Sequence, residues 1–356
     1  MRRFAVIMAG GGGTRFWPLS RHNMPKQLLN LSGNDAMINE TIKRFEGVIS
    51  YQDSFVVTSK SQKVVLNSIM ISDVPRDNIL SEPIARNTAP CILYAAMHIF
   101  ERYGDGIMCV FPSDHHIANT NDFRRVLENA ISAAEESNNL VTIGIKPVFP
   151  ATGYGYIKCD SKLNKFNAYI VNHFVEKPDL EKAKDYLKSG GYYWNSGMFI
   201  WKVSVIIDAF RRFLPRVYRS FQKMEGRFGT KDETKILDEI YLELDNISVD
   251  YGILERTDEV IVIPGYFDWN DVGSWDALGN AFPSDDNGNI IKANHIGLDT
   301  KGCIIYGNSK LIATVGLENT VIVDTEDALL ICPKEKAQDV KRIVDLLKET
   351  GKTNLI

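Results

Sequence analysis

Four consecutive glycines, Gly10-Gly11-Gly12-Gly13, lead into Thr14 and Arg15, and Lys26 follows within the same loop. No other stretch of this sequence is better suited to chemistry on an anion. Glycines let a backbone turn sharply and approach a ligand with no side chain in the way. Successive N–H groups in such a loop form an anion-binding concavity. Arg15 adds a planar donor fork and Lys26 a mobile point charge. Together they suit a nucleoside triphosphate. Two other phosphate loops are excluded. A dinucleotide fingerprint needs glycine where Arg15 stands, and the single Gly-Lys-Thr, Gly351-Lys352-Thr353, has Leu346 where a P-loop needs its first glycine.

Further along, acids and amides recur at strand ends. Asp114 closely follows the apolar run Ile107-Met108-Cys109-Val110-Phe111 and should project from a carboxyl edge. It reads either as a turn residue or as a hard oxygen ligand for Mg²⁺, which takes one or two carboxylates plus substrate phosphates. Its neighbours His115 and His116 make no metal pair, because adjacent residues on extended chain point oppositely. Gly153 and Gly155 allow close approach between strands. Glu176 can accept from sugar hydroxyls while Lys177, facing the other way, can reach a phosphate; in isolation the two also read as a surface salt bridge. The Asn195 amide, donor and acceptor together, suits a vicinal diol or a buried turn.

These residues need a scaffold. Apolar runs alternate with helical patterns: strand 4–8, helix 35–46, strand 55–57, helix 60–71, a helix capped by Asn87 or Thr88, strand 107–111, helix 122–135 and strand 140–146. Such alternation predicts an α/β fold: a Rossmann-like mixed, mostly parallel sheet flanked by helices, with ligands beyond the strand carboxyl ends. Arg211, Arg212, Arg216 and Arg219 with Phe210, Phe213 and Phe221 read as a solvated face over a core stripe. Ser274 reads as a helix cap. Residues 280–288 read as a linker, so 1–283 is expected as the catalytic domain and 284–356 as a small β-helix-like domain. The terminal stripe Val340, Ile343, Val344, Leu347 would dock on that domain or on a partner subunit.

The pattern G-G-x-G-T-R-x-W-P-L-S-R with P-K-Q downstream resembles the sugar-1-phosphate nucleotidyltransferases, and among them the mannose-1-phosphate guanylyltransferases. The resemblance implies transfer of GMP from GTP to α-D-mannose 1-phosphate, giving GDP-mannose and pyrophosphate. It assigns Gly10 to Gly13 and Thr14 to the nucleotide. The segment E-P-x-x-R-N-T-A-P adds Glu82, Asn87 and Thr88, since a Glu carboxylate can accept from guanine's N1–H and 2-amino group. Gly153, Gly155, Glu176 and Asn195 fall to the sugar, with the segment around Asp250 beside them. Asp114 and Asp271 would hold Mg²⁺, and Arg15, Lys26 and Lys177 would neutralise phosphate charge. The attacking phosphate monoester, with a second pKa of about 6, needs no general base. Two rivals stay open: the same fold acting on another sugar 1-phosphate such as manno-heptose 1-phosphate, and a non-catalytic nucleotide-sugar binder. Longer relatives carry an isomerase domain, which is not expected here.

Composition sets outer limits. The chain has 356 residues, 44% of them hydrophobic, and a net charge of −4, so no broad basic surface argues for nucleic acid. No apolar run approaches the roughly 20 residues of a membrane span. Five dispersed cysteines without a C-x-x-C read as reduced core thiols. The expectation is a cytoplasmic protein, with a homodimer left open.

Overall fold

A computed structural model describes residues 1–32, 34–163 and 165–356. Its first sheet has nine strands: β1 (Arg3–Ala9), β2 (Ser54–Ser59), β3 (Ile79–Glu82), β4 (Ile107–Pro112), β5 (Leu140–Ile145), β6 (Tyr156–Lys162), β7 (Tyr169–Val175), β8 (Tyr192–Lys202) and β9 (Val260–Gly265). Their spatial order is β3-β2-β1-β4-β8-β5-β9-β7-β6, with β6 also pairing β8. Only β7 and β8 run against the rest, so the sheet is mixed and mostly parallel. The central strands are apolar without alternation because helices cover both faces.

The helices are α1 (Met37–Arg44), α2 (Lys60–Ile69), α3 (Thr88–Tyr103), α4 (Thr120–Glu136), α5 (Leu180–Ser189), α6 (Val203–Phe213), α7 (Pro215–Gln222) and α8 (Glu233–Glu243). Phe210 and Phe221 are buried with α3 on one face, while Arg211, Arg212, Arg216 and Arg219 are exposed, as their spacing predicts. Helices α1, α2 and α4 pack on the other face.

Register decides where the chemistry lies. Met8 at the end of β1 pairs with Pro112 of β4, and Ser59 of β2 with Glu82 of β3. The glycine run, Asp114 and Glu82 therefore leave the sheet at the same carboxyl edge, where ligands of such sheets bind.

A second, smaller body follows. Strands β10 (Ile290–Lys292), β12 (Ile304–Gly307) and β14 (Thr320–Asp324) stack in parallel, and β15 (Leu329–Pro333) closes them antiparallel. Strands β11 (His295–Leu298) and β13 (Ile312–Val315) pair in a second parallel ladder, the alternation expected of successive β-helix turns. The last helix, α9 (Val340–Glu349), buries Val340 and Val344; Ile343 sits at the exposed margin of the stripe.

The joint between the two bodies is apolar and built around the loop after the glycines. Phe16, Trp17, Leu31 and Trp275 share one core with Ile304, Tyr306, Val321, Val340 and Val344. The Trp17 Nε1–H and an Arg21 guanidinium N–H both donate to the Leu355 carbonyl, at 2.8 and 2.6 Å. Tyr306 donates to Leu31 O at 2.7 Å. The terminal stripe thus docks on the chain's own β-body and on the signature loop. Ser274 departs from its expected role: it occupies the N-cap position, but its hydroxyl donates to the Asp276 carboxylate instead of capping a backbone N–H. All five cysteines are free, four of them buried. Among the described residues no helix is long and apolar enough to cross a membrane.

Candidate active site

A cavity of about 470 Å³ opens at the carboxyl edge of the first sheet. Gly10, Gly11, Glu82, Asn87 and Thr88 line one end, and Gly153, Gly155, Glu176 and Asn195 the other. Asp114 and Asp271 line it as well. Residues far apart along the chain meet here because β1 and β4 are neighbours and the two-residue ladder of His116–Ile117 with Trp269–Asn270 brings the late segment alongside.

Gly12, Gly13, Thr14, Arg15, Lys26 and Lys177 were expected here and are not in the wall of the cavity. Gly13 has a left-handed backbone (φ 53°) and packs against Lys26, where a Cβ would lie 2.6 Å from the Lys26 nitrogen. Thr14 and Arg15 begin a single 3₁₀ turn whose third residue, Phe16, is buried. That anchoring leaves Arg15 exposed, with no hydrogen bond or ion pair among the described residues.

Lys26 is placed differently from a phosphate gripper. Its side chain is only 5% exposed, and Nζ donates to Asp114 Oδ2 at 3.0 Å and to the Asp271 carbonyl at 2.6 Å. The lysine ties the two acidic segments together. Burial pushes the Asp114 carboxyl up, but the charge of Lys26 and its hydrogen bond outweigh it and hold it below the usual range. Asp114 therefore stays ionised at neutral pH. Tyr154 donates to Asp271 Oδ1 at 2.8 Å, and Gly273 N–H donates to the same oxygen at 3.2 Å. Asp114 Oδ1 and Asp271 Oδ2 take no hydrogen bond among the described residues.

His115 is neutral: burial brings its pKa to about 4. The Trp269 indole N–H donates to its Nδ1 at 3.1 Å, which leaves the ring proton on Nε2, 4.0 Å from Asp114 Oδ1. His115 therefore stands beside Asp114 without a hydrogen bond to it.

Lys177 and Glu176 were expected to face opposite ways. Instead Lys177 has φ 45°, which turns the chain, and its Nζ meets Glu176 Oε1 at 2.5 Å with the lysine side chain 62% exposed. The alternation of extended chain does not apply across such a residue, so the salt-bridge reading describes this pair. Asn195 is also partly committed. Its Nδ2 donates to Asp250 Oδ1 at 2.7 Å and its Oδ1 accepts from Gly197 N–H at 3.1 Å. One N–H of the amide remains for a diol, with Asp250 beside it. At Gly155 an added Cβ would lie 2.5 Å from Glu176 Oε2, so a larger residue there would displace the tip of that carboxylate.

Gln27 was legible only as part of P-K-Q. Its Nε2 donates to Ala9 O and Gly11 O, at 2.9 and 3.0 Å, and so fastens the glycine run from below. Nothing in the sequence identifies a backbone acceptor. Tyr154 and Trp269 were likewise not singled out; each acts by holding a residue that was.

Glu82 is buried at the end of β3 and accepts from Tyr241 Oη at 3.0 Å. Burial raises its pKa from 4.5 to about 7, against the opposing pull of that hydrogen bond. Such a rise favours the neutral form by about 3 kcal/mol. The stabilisation is complete below pH 4.5 and is lost as pH rises through about 7. Replacing Glu82 by glutamine should therefore raise the melting temperature relative to the unmodified protein more at pH 8 than at pH 5.5. Equal effects at both pH values would mean that Glu82 carries no shifted charge.

Comparison with known proteins identifies the family and the fold. Residues 4–288 match the Nucleotidyl transferase family model, and residues 293–347 match the MannoseP isomerase/GMP-like beta-helix domain. The xanthan biosynthesis protein XanB of Xanthomonas campestris pv. campestris strain B100 is 40% identical over 349 residues, 98% of this chain and 74% of that protein. A mannose-1-phosphate guanylyltransferase of Klebsiella pneumoniae is 38% identical over 351 residues, with the same two shares. A crystal structure from Thermus thermophilus, named a mannose-1-phosphate geranyltransferase, superposes with a TM-score of 0.88 at 32% identity, covering 98% of this chain and 100% of that one. The chain belongs to the nucleotidyl transferase family and carries the beta-helix domain of the mannose-1-phosphate guanylyltransferase type.

Proposed function

We propose that this chain transfers GMP from GTP to mannose 1-phosphate. The observation that carries the reading is the meeting of Asp114, Asp271, Gly10, Gly11, Glu82 and Glu176 around one cavity of about 470 Å³. Relatives that align with nearly the whole chain carry the guanylyltransferase name.

In the reaction a phosphate oxygen of the sugar phosphate forms a bond to the α-phosphorus of GTP. The bond from that phosphorus to the bridging oxygen breaks, and pyrophosphate leaves with the electron pair. No proton must be removed from the nucleophile. The residues contribute position and charge. Gly10 and Gly11 offer backbone N–H groups to the triphosphate. Glu82 accepts from the base, while Asn87 and Thr88 shape its pocket at the start of α3. Glu176, Asp250 and the free N–H of Asn195 hold the sugar hydroxyls. Lys177, on its exposed turn, exchanges Glu176 for the incoming sugar phosphate.

The unshared oxygens of Asp114 and Asp271 fit a hard divalent cation, and Mg²⁺ held by them would supply charge neutralisation between the two phosphates. Lys26 keeps both acids in place for it.

Arg15, exposed and without an ion pair among the described residues, would close over the β- and γ-phosphates. Arg15→Ala should lose about 10²–10³-fold in turnover, since removing one oxyanion-directed donor has effects of that size, with an unchanged circular dichroism spectrum. A pyrophosphate-release assay with four nucleoside triphosphates against several hexose 1-phosphates tests the whole reading. GTP with mannose 1-phosphate should give the highest kcat/KM. Preference for another pair would reassign the substrate, and product binding without pyrophosphate release would reject catalysis.

A further inference from the structure

Helix α3 starts at the nucleotide end of the active cavity, and its first residues are hydrogen-bonded to the segment that leads into the sugar end. We propose that Thr88 is a positioning residue for the sugar subsite: through the Val249 amide it couples occupation of the nucleotide end to affinity for the sugar phosphate. The role rests on the proposed division of the cavity into those two ends.

The first argument is the hydroxyl. Thr88 lines the cavity, and its Oγ1 accepts from the Val249 N–H at 2.9 Å. Val249 opens a single helical turn, Val249–Gly252, so its N–H has no partner within that turn. Ser248 caps the same turn but accepts from the Tyr251 N–H, at 3.2 Å, which leaves the Val249 N–H to Thr88. A hydroxyl has one donor and two lone pairs. The Thr88 proton has no acceptor among the described residues, so Thr88 can donate to a nucleotide while it accepts from Val249. Hydrogen bonds in such a chain polarise one another, and each strengthens the next.

The second argument is the backbone. Asn87 has φ 68° and ψ −169°, a conformation natural to glycine, and its Oδ1 accepts from the Thr88 N–H at 2.9 Å. Backbone strain of this kind persists where the surroundings fix it, and it gathers at ligand clamps. The next residue, Ala89, donates its N–H to the Ile247 carbonyl at 3.2 Å. Two successive residues of α3 thus hold residues 247 and 249, one on each side of Ser248.

The sugar end begins one residue later. Asp250 lines the cavity, and its Oδ1 accepts from Asn195 Nδ2 at 2.7 Å. The second N–H of that amide is the one left for a diol, and Gly197 N–H fixes its oxygen. From Thr88 to Asn195 the path is one hydrogen bond, one residue step and one hydrogen bond.

Thr88→Val keeps the shape and removes the hydroxyl. Thr88→Ala also removes it, and Thr88→Ser keeps it. Initial rates with both substrates varied give the KM for mannose 1-phosphate at low and at saturating GTP. Saturating GTP should lower that KM roughly 5-fold or more in the unmodified protein, the lower range of coupling between sites. Both hydroxyl-free variants should lose this effect with kcat little changed, and Thr88→Ser should retain it. A second measurement needs no turnover. Adding GTP alone should slow hydrogen–deuterium exchange over residues 246–252 in the unmodified protein and in Thr88→Ser, but not in Thr88→Val or Thr88→Ala. A rise in the KM for GTP alone would make Thr88 a nucleotide contact only and overturn the proposal. Equal rises in both KM values that serine does not reverse, or exchange slowed equally in every variant, would overturn it too. A substrate panel that selects a different triphosphate or sugar phosphate rejects the guanylyltransferase reading alone; the exchange comparison then uses the selected triphosphate and decides the role of Thr88 separately.

Discussion

Replacing Lys26 by methionine is expected to cut turnover by at least about 10²-fold and to weaken the fold at the same time. The lysine is buried, and its ammonium satisfies Asp114 and the Asp271 carbonyl together. Methionine fills a similar volume but takes the shared donor away from the Asp114 carboxylate, which is 35% exposed, and from the Asp271 carbonyl. Breaking a buried pair on one side typically costs 3–5 kcal/mol, and about 3 kcal/mol is expected here because Asp114 also faces the cavity and its water. The double variant Lys26→Met with Asp114→Asn should regain most of the stability and none of the activity. Urea unfolding and pyrophosphate release measure the two effects. Recovery of activity in the double variant would show that neither charge serves the reaction. Native stability in Lys26→Met would show that the pair is not a structural tether.

The contrast between Lys26 and Arg15 shows what can be read from residues in a line. Both were legible as cations beside a glycine run. Their different fates depend on Phe16, whose burial fixes the turn and leaves Arg15 outside, and on Gly13, whose left-handed backbone lets Lys26 pass beneath. The covered, mostly parallel sheet was legible because continuous apolar runs separated by helical patterns require helices on both faces. The insertion of β8 between β4 and β5 was not, since an antiparallel strand that begins Tyr192-Tyr193-Trp194 carries the same apolar signature in either direction. Lys177 was misplaced because alternation along a strand fails at one residue of positive φ. Asn195 was left open between a diol and a buried turn, and its partner Asp250 was not legible because it lies 55 positions away.

Least legible of all was the joint between the two bodies, and it supports the other large effect. Trp275→Ala should lower unfolding free energy by about 3–5 kcal/mol and raise the KM for GTP several-fold. The indole is completely buried, 5.1 Å from the Phe16 ring and 5.2 Å from the Tyr306 ring. Its N–H donates to the Trp17 carbonyl at 3.2 Å. Phe16 and Trp17 directly follow Arg15, and Trp275 closes the segment that carries Asp271. A cavity at this position therefore loosens an expected phosphate cation and an expected metal ligand together, although Trp275 lines no part of the active cavity. Trp275→Phe keeps most of the packing and loses the N–H, so its stability loss should be nearer about 1 kcal/mol with KM almost unchanged. The two variants separate packing from hydrogen bonding. A Trp275→Ala protein that unfolds at the normal urea concentration, or one destabilised as expected but with an unaltered KM for GTP, would show that the small β-body does not hold the signature loop in its working shape.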